Sequence, residues 1–204
     1  MIPVLLRVLF VFLAIGLVPK GAAAQTTPPT PFTGIPKVPR TLPLIYAPNN
    51  DGRVAAAAAA GDADDVASLI ANGGSPDDSD RQGHTALMHA AMSNRAVIAD
   101  ILLMHAAKVE IRDDLGDTAL HWAAQTGSVA VIRLLIAFHA EVNQQDARGM
   151  TPLMLAASNN RTDAVRVLLQ SHADPSKTDY TGQDALGWAG SHAVIVSLLK
   201  AAEH

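Results

Sequence analysis

Apolar and polar positions follow one another in the same order four times along the chain. A glycine stands at positions 83, 116, 149 and 182, an aspartate precedes each glycine by three residues, and a leucine follows it by four. Two small residues come three and four places after each leucine, and apolar pairs such as Leu102 and Leu103 come later in the unit. The pattern predicts a turn, a short helix, a break and a second helix in each unit of 33 residues. A fixed period of this size is typical of repeat proteins.

Residues at the predicted helix boundaries support this interpretation. Thr85, Thr118 and Thr151 stand where a hydroxyl can accept hydrogen bonds from the first N–H groups of a helix. Each first helix has only about eight residues, below the roughly 12–15 that are marginal alone in water, so each unit is expected to fold only within a stack. The break between the helices carries residues that tolerate left-handed backbone: Asn94, Gly127 and Asn160.

The repeated unit resembles the ankyrin repeat. Thr118-Ala119-Leu120-His121 is a near match to the Thr-Pro-Leu-His of that family, and Thr151-Pro152-Leu153-Met154 is a second one. The resemblance implies an all-α solenoid of stacked helix pairs with loop or β-hairpin tips, in which the His121 side chain bonds backbone of the neighbouring loop. The sequence departs from the family at the left-handed position after the second helix, which is usually glycine there and is Ala106, His139 and His172 here.

The chain is predicted to have three segments. Residues 1–24 have the features of a signal peptide, with Arg7, a short apolar core and small residues before Gln25; an uncleaved membrane anchor is the alternative. Residues 25–50 are proline-rich and predict an extended linker. Residues 51–204 form the repeat domain, with units at about 51–79, 80–112, 113–145, 146–178 and 179–204. Three units are full, and the two at the ends are degenerate caps.

The two ends of the repeat domain carry further expectations. Four apolar linker residues either belong to a spacer or cover the alanine-rich first helix, which has no unit before it: Leu42, Leu44, Ile45 and Tyr46. In the last unit, Leu198 and Leu199 come three residues earlier than the period requires. We expect the turn between its two helices, near Gly190, to be the shortened part.

The composition excludes several kinds of chemistry and of partner, and it bears on where the protein is located. The chain has no cysteine, so thiol catalysis, disulfides and thiolate zinc sites are excluded. Removing Arg7 and Lys20 with the signal peptide leaves 13 basic and 19 acidic residues, a net charge of −6 that offers no electrostatic footprint for nucleic acid. We expect a monomer of the bacterial periplasm or a secreted protein, without stable membrane insertion after signal cleavage.

The search for chemistry finds no catalytic motif. Neither a Gly-x-Ser-x-Gly sequence nor a phosphate-binding glycine loop occurs, and the aspartates recur at the repeat period, which favours a role in turns. Eight histidines suggest a metal site, but His84 is placed in a loop, where it is expected to be solvated, and His89 on a helix. Trp122 and Trp188 are predicted to be core residues. We therefore expect no enzyme activity, no cofactor and no metal site.

The resemblance also implies where a partner binds, because ankyrin repeats usually bind proteins through the concave side formed by loop tips and first helices. Apolar loop-tip residues are candidate anchors there, with arginines as polar partners. We expect a non-catalytic protein-binding module of the bacterial cell envelope; the alternative is a small-ligand or metal-binding protein that uses surface histidines. The candidate protein-binding residues are Arg81, His84, Met92, Asp114, Leu115, Gln125, Arg148, Met150 and Tyr180.

Overall fold

The computed structural model describes residues 52–202, which form ten helices in five consecutive pairs. The first helices of the pairs are α1 (Arg53–Ala60), α3 (Ala86–Met92), α5 (Ala119–Thr126), α7 (Pro152–Ser158) and α9 (Ala185–Ala189). The second helices are α2 (Ala63–Ala71), α4 (Ala96–Met104), α6 (Val129–Ala137), α8 (Thr162–Gln170) and α10 (Ala193–Ala202). The predicted signal peptide, the linker with its four apolar residues, and His204 lie outside the described residues.

The helices form two layers with the core between them. Each first helix packs on the first helix of the next pair, and each second helix packs on the next second helix. The leucines of the repeated motif lie at the centre of this arrangement, since Leu87, Leu120 and Leu153 are each only 1% exposed. The prediction of an all-α solenoid of stacked helix pairs is confirmed.

The threonines that precede the first helices act as caps in two different ways. Thr85 Oγ1 accepts a hydrogen bond from the backbone N–H of Met88 at 3.2 Å, and Thr151 caps α7 in the same manner. Thr118 instead pairs with the side chain of His121, whose Nδ1 lies 3.1 Å from the Thr118 backbone nitrogen. Each cap satisfies N–H groups that a helix start leaves without an intrahelical partner.

The first pair lacks a threonine at this position, and a carboxylate from the following loop replaces it. Gly52 is the residue before α1 and has no side chain to cap the helix. Asp78, which is 1% exposed, accepts the backbone N–H groups of Gly52 at 2.9 Å and Val54 at 3.0 Å. The capping of α1 therefore depends on a residue 26 positions further along the chain.

Left-handed backbone occurs where the sequence predicts it. After the second helices, φ is +62° at Ala106, +65° at His139 and +64° at His172. At the first of these, the N–H of Ala106 donates to Leu103 and the N–H of Ala107 donates to Leu102, which closes α4 with a Schellman motif. Ala106 adopts this conformation without the glycine that most helices use there.

The last pair is shortened in its helix and not in its turn, so that expectation was wrong. Helix α9 has five residues, whereas α5 has eight. Three residues, 190–192, separate α9 from α10, as three residues separate α3 from α4. Gly187 lies inside α9 and Gly190 follows it, and glycine is a poor helix former. Leu199 is nevertheless fully buried, so α10 keeps its place in the stack.

Candidate recognition surface

Each loop between helix pairs is a tight turn organised by the aspartate that opens it. In the loop of Asp146, the backbone N–H of this residue donates to the Met150 carbonyl at 3.0 Å, and Oδ1 accepts the N–H groups of Arg148 and Met150 at 2.8 Å each. The loops that open at Asp80, Asp113 and Asp179 repeat the pattern. The predicted turn-forming role of these aspartates is confirmed.

Neighbouring turns are joined directly, so the loop tips form one continuous row. Backbone N–H groups of Asp114, Ala147 and Tyr180 donate to carbonyls of the preceding turn at 3.3, 3.1 and 3.2 Å. Gly149 shows why glycine is needed here: its φ is +81°, and a Cβ at this position would lie 2.8 Å from the Tyr180 nitrogen. The close approach of one turn to the next leaves no room for a side chain.

In three of the four turns, the second oxygen of the aspartate binds a side chain nine residues further along the chain. Oδ2 of Asp113 accepts from Trp122 Nε1 at 2.8 Å, and Oδ2 of Asp179 accepts from Trp188 Nε1 at 3.0 Å. Both tryptophans are partly buried and pack on the core, as predicted, but their indole N–H groups also hold the turns. In the unit of Asp146 the equivalent residue is Leu155, which has no donor. The guanidinium of Arg148 donates to Asp146 Oδ2 instead, from Nη2 at 2.6 Å and from Nε at 2.8 Å.

His121 links two units from inside the core. Its Nε2 lies 3.2 Å from the Met150 carbonyl and must therefore donate, which leaves Nδ1 to accept from the backbone of Thr118. Burial lowers the pKa of His121, which favours the neutral imidazole that this donor and acceptor arrangement requires. The role that the resemblance implies for this histidine is confirmed.

The structure separates the predicted binding residues by exposure. The two large apolar candidates at the loop tips are open to solvent, with Tyr180 75% and Leu115 57% exposed. Three polar candidates on the same tips are also exposed: Arg81, Asp114 and Arg148. Three others are partly buried: His84, Met92 and Gln125. The tips therefore present a mixed surface of two apolar side chains among charged ones.

Met150 is only 4% exposed, so its assignment as an exposed anchor was wrong. Both its N–H and its carbonyl close the turn of Asp146, and the cap residue Thr151 follows at once. The Met150 side chain packs in the core. The sequence could not have revealed this, since the equivalent residue is buried in one unit, Asp117, and exposed in another, Gln183.

Charged side chains near the bases of the turns form a compact network. Arg148 Nη2 lies 2.6 Å from Asp146 Oδ2 and 3.7 Å from Asp117 Oδ2. Burial raises the pKa of Asp117 to about 6, with the charges of Asp146 and Asp113 adding to the effect and Arg148 and His84 opposing it. Its Oδ1 is buried and accepts no hydrogen bond from the part of the chain described. The network thus holds a carboxylate that is costly to ionise.

His84 and His89 approach each other, so the expectation of a solvated His84 in a loop, apart from His89 on its helix, was wrong. Their rings meet edge to face with centroids 5.7 Å apart, and the side chain of His84 is only 17% exposed. Both face the carboxylate of Asp80. Burial acts to raise the pKa of this carboxylate, but the net pKa is lowered by hydrogen bonds from the backbone of Gln82 and His84 and from the His89 side chain. Spacing along one helix, the signal used for metal ligands, cannot reveal ligands contributed by a loop and a helix together.

A model of ankyrin repeats, three copies long, matches residues 54–146 and 131–204. The chain belongs to the ankyrin-repeat family. Ankyrin repeats are generally protein–protein interaction modules and are typically non-catalytic. No curated protein matches the sequence.

The ankyrin stack also exposes apolar side chains on the face formed by its second helices. Met104 is 70% exposed and Phe138 is 37% exposed, and Phe138 borders a shallow depression with Leu103, Val109 and Ile111. None of the helices within residues 52–202 is both long enough and apolar enough to cross a membrane. The loop tips and this second-helix face are therefore the two surfaces to compare as binding sites.

Proposed function

We propose that this ankyrin-repeat protein is a non-catalytic binding module that recognises a protein partner through its loop tips and the adjoining first helices. The observation that carries the proposal is the exposure of Tyr180 and Leu115 on a row of turns whose backbone is already fixed. The stack covers only a minor part of these two side chains. A partner that covers them removes their apolar surface from water.

Pre-organisation of the tips favours tight binding. Each turn is held by its own aspartate, and each tip is hydrogen-bonded to the preceding one, as with Tyr180 on Arg148. Binding therefore needs little ordering of backbone, which is one of the main costs of association. Tyrosine and arginine are also enriched among the residues that dominate interface energies. A row of rigid turns with one tyrosine anchor is suited to a folded protein surface or an extended peptide.

The polar candidates are arranged around the two apolar ones. Arg81 and Asp114 are exposed at equivalent places in successive turns, and Tyr180 occupies the same place two units after Asp114. Arg148 keeps 55% of its side chain exposed while paired with Asp146. Such charges at the rim of an interface affect association rate and partner choice more than affinity. We expect Tyr180 and Leu115 to supply most of the binding energy.

We further propose that the protein acts in the bacterial cell envelope as an exported monomer. Support comes from the short apolar segment within residues 1–24, the small residues that end it and the absence of cysteine. N-terminal sequencing of protein from the native host should find Gln25 as the first residue. A membrane fraction that retains residues 1–24 would indicate an anchored protein instead.

The test of partner binding begins with two proteins on the same periplasmic extract. The wild type and a Tyr180→Ala/Leu115→Ala double variant are used as bait, and any protein retained by the first and lost by the second is purified. Each single substitution should then weaken its binding by about 1 kcal/mol or more, roughly fivefold. Circular dichroism and thermal melting should stay near wild type, because both side chains are exposed.

Two matched controls decide between surfaces. Glu141 is exposed in the loop after α6, and Glu141→Ala should leave binding unchanged. Phe138→Ala tests the second-helix face, where an apolar side chain of similar size is exposed. Loss of the partner with Phe138→Ala, together with silent changes at Tyr180 and Leu115, would place the binding site on the second-helix face and refute the loop-tip proposal.

A further inference from the structure

Three potential ligand atoms converge at the start of the second repeat. His89 Nε2 lies 3.0 Å from Asp80 Oδ2, and His84 Nδ1 lies 3.3 Å from the same oxygen. All three atoms lie within 4.8 Å of one another. We propose that Asp80, His84 and His89 bind a divalent transition-metal ion of the zinc type, a site independent of partner recognition at the loop tips.

The distances suit a tetrahedral ion. Zinc binds imidazole nitrogen at about 2.0–2.1 Å and carboxylate oxygen at about 2.0–2.2 Å, which places neighbouring ligand atoms of a tetrahedron roughly 3.3–3.5 Å apart. His89 Nε2 and His84 Nδ1 lie 3.0 and 3.3 Å from Asp80 Oδ2, close to this spacing, and one ligand atom of each residue lies within 4.8 Å of the other two. Two imidazoles and one carboxylate are also a ligand set that zinc prefers.

The position of His84 between two carboxylates favours coordination. Its Nδ1 faces Asp80, and its Nε2 lies 3.5 Å from Asp113 Oδ2, so both ring nitrogens face carboxylates. A neutral imidazole has one N–H and can donate to only one of them. With the proton on Nε2, the lone pair of Nδ1 points towards the oxygen of Asp80. In this tautomer a metal ion between the two atoms would bind both Nδ1 and Oδ2.

Asp113 places a carboxylate oxygen 3.5 Å from the second ring nitrogen of His84, where it could support a metal-bound imidazole. A carboxylate that accepts the second ring N–H of a ligand histidine fixes its tautomer and orientation. The side chain of Asp113 is fully buried and is itself held by Trp122 Nε1 at 2.8 Å and by the backbone N–H groups of Leu115 and Asp117 at 2.9 Å. The carboxylate is therefore rigid before any ion binds.

The carboxylate of Asp80 is also held in a fixed orientation before any ion binds. Its Oδ1 accepts the backbone N–H groups of Gln82 at 2.9 Å and His84 at 3.0 Å, which fixes the carboxylate and leaves Oδ2 for an ion. The side chains of the three ligands are between 17% and 29% exposed. An ion is thus reachable from solvent and has room for water as a fourth ligand.

The other repeats show that the turn itself does not need two histidines. Trp122 and Trp188 occupy the place of His89, and each holds its own aspartate with a single N–H. Gln183 occupies the place of His84 and closes its turn in the same way. His89→Trp and His84→Gln therefore keep the structural hydrogen bonds and remove one metal ligand each.

The experiment uses the full chain without a histidine tag, stripped with a chelator and titrated with zinc chloride against a chromogenic competitor. We expect one zinc ion per chain with micromolar or tighter affinity. His89→Trp and His84→Gln should each fold and should each weaken binding by about 100-fold, at or above the loss typical of second-shell changes. His105→Gln removes an exposed histidine elsewhere on the stack and should change nothing.

Two further measurements distinguish this site from nonspecific metal binding. Cobalt in place of zinc should give the intense visible absorption of a tetrahedral ion in the wild type and lose it in both ligand variants. Zinc should also raise the melting temperature of the wild type alone, because an ion that binds only the folded state stabilises it. The proposal is overturned if no saturable zinc binding occurs in the micromolar range, or if both ligand variants bind zinc as the wild type does.

Discussion

Replacing Asp117 with asparagine tests whether the network at the bases of the turns holds a carboxylate that opposes folding. Asp117 is 4% exposed, and its Oδ1 accepts no hydrogen bond within residues 52–202. Asparagine has nearly the same shape and carries no charge. The substitution therefore removes the cost of ionisation while leaving the backbone bonds of the turn in place.

The expected change in the free energy of unfolding follows from the raised pKa of Asp117. Burial, together with the charges of Asp146 and Asp113, raises the pKa of Asp117 from 3.8 to about 6, against the opposing charges of Arg148 and His84. This difference corresponds to roughly 3 kcal/mol of free energy between the folded and unfolded states. Between the two pKa values the folded chain binds more protons than the unfolded one, so this contribution destabilises increasingly as the pH rises from about 4 to 6 and is complete above that range.

The assay is urea denaturation of wild type and Asp117→Asn at several pH values between 4 and 8. The free energy of unfolding of the variant should exceed that of the wild type by an amount that grows across this range and levels off above pH 7, with a total growth of about 3 kcal/mol. Comparing the two proteins at each pH cancels the other titrating groups. A constant difference for Asp117→Asn would refute the reasoning.

Three further predictions concern the stability of the stack. Leu135 is fully buried in α6 and Leu134 only partly, so Leu135→Ala should cost about 2–5 kcal/mol in a denaturant melt and Leu134→Ala clearly less; equal losses would contradict the assigned packing. Ala106→Gly should raise stability by roughly 1 kcal/mol, because glycine adopts the observed φ of +62° without strain, and an unchanged or lower thermal midpoint would contradict this. Asp78→Ala should cost about 1–3 kcal/mol and increase hydrogen exchange in α1, since two backbone N–H groups lose their acceptor; protection of α1 at the wild-type level would show that water replaces the cap.

Much of the fold could be predicted because an ankyrin stack is built from local signals. The aspartate and glycine of each turn, the threonines at 85 and 151 and the left-handed residues all act within a few positions of themselves, and the structure places them as expected. Even His121, whose partner belongs to the next repeat, was predictable, because the fixed period brings the same loop to it. Because the units repeat, such contacts between neighbouring units can be predicted from a single sequence.

The recognition surface was only partly predictable. Tyr180 and Leu115 are exposed as expected, since both lie between the aspartate and the glycine of a turn, where the chain points away from the stack. Met150 lies one residue after the glycine, and there the side chain returns to the core. In these turns one position separates an exposed residue from a core residue. The residue type does not show which is which, because Leu115 and Met150 are both apolar.

The sequence by itself determined the repeat period, the turn chemistry, the helix order and the absence of thiol chemistry. The tertiary structure decided which side chains meet across the turns. Asp80, His84 and His89 converge because a loop folds back on the first turns of α3, and Asp113 reaches His84 only because the next repeat stacks there. Asp78 replaces a missing threonine across 26 residues, and burial rather than identity gives Asp117 its pKa. These features depend on three-dimensional proximity and desolvation, which arise only when the repeats pack together.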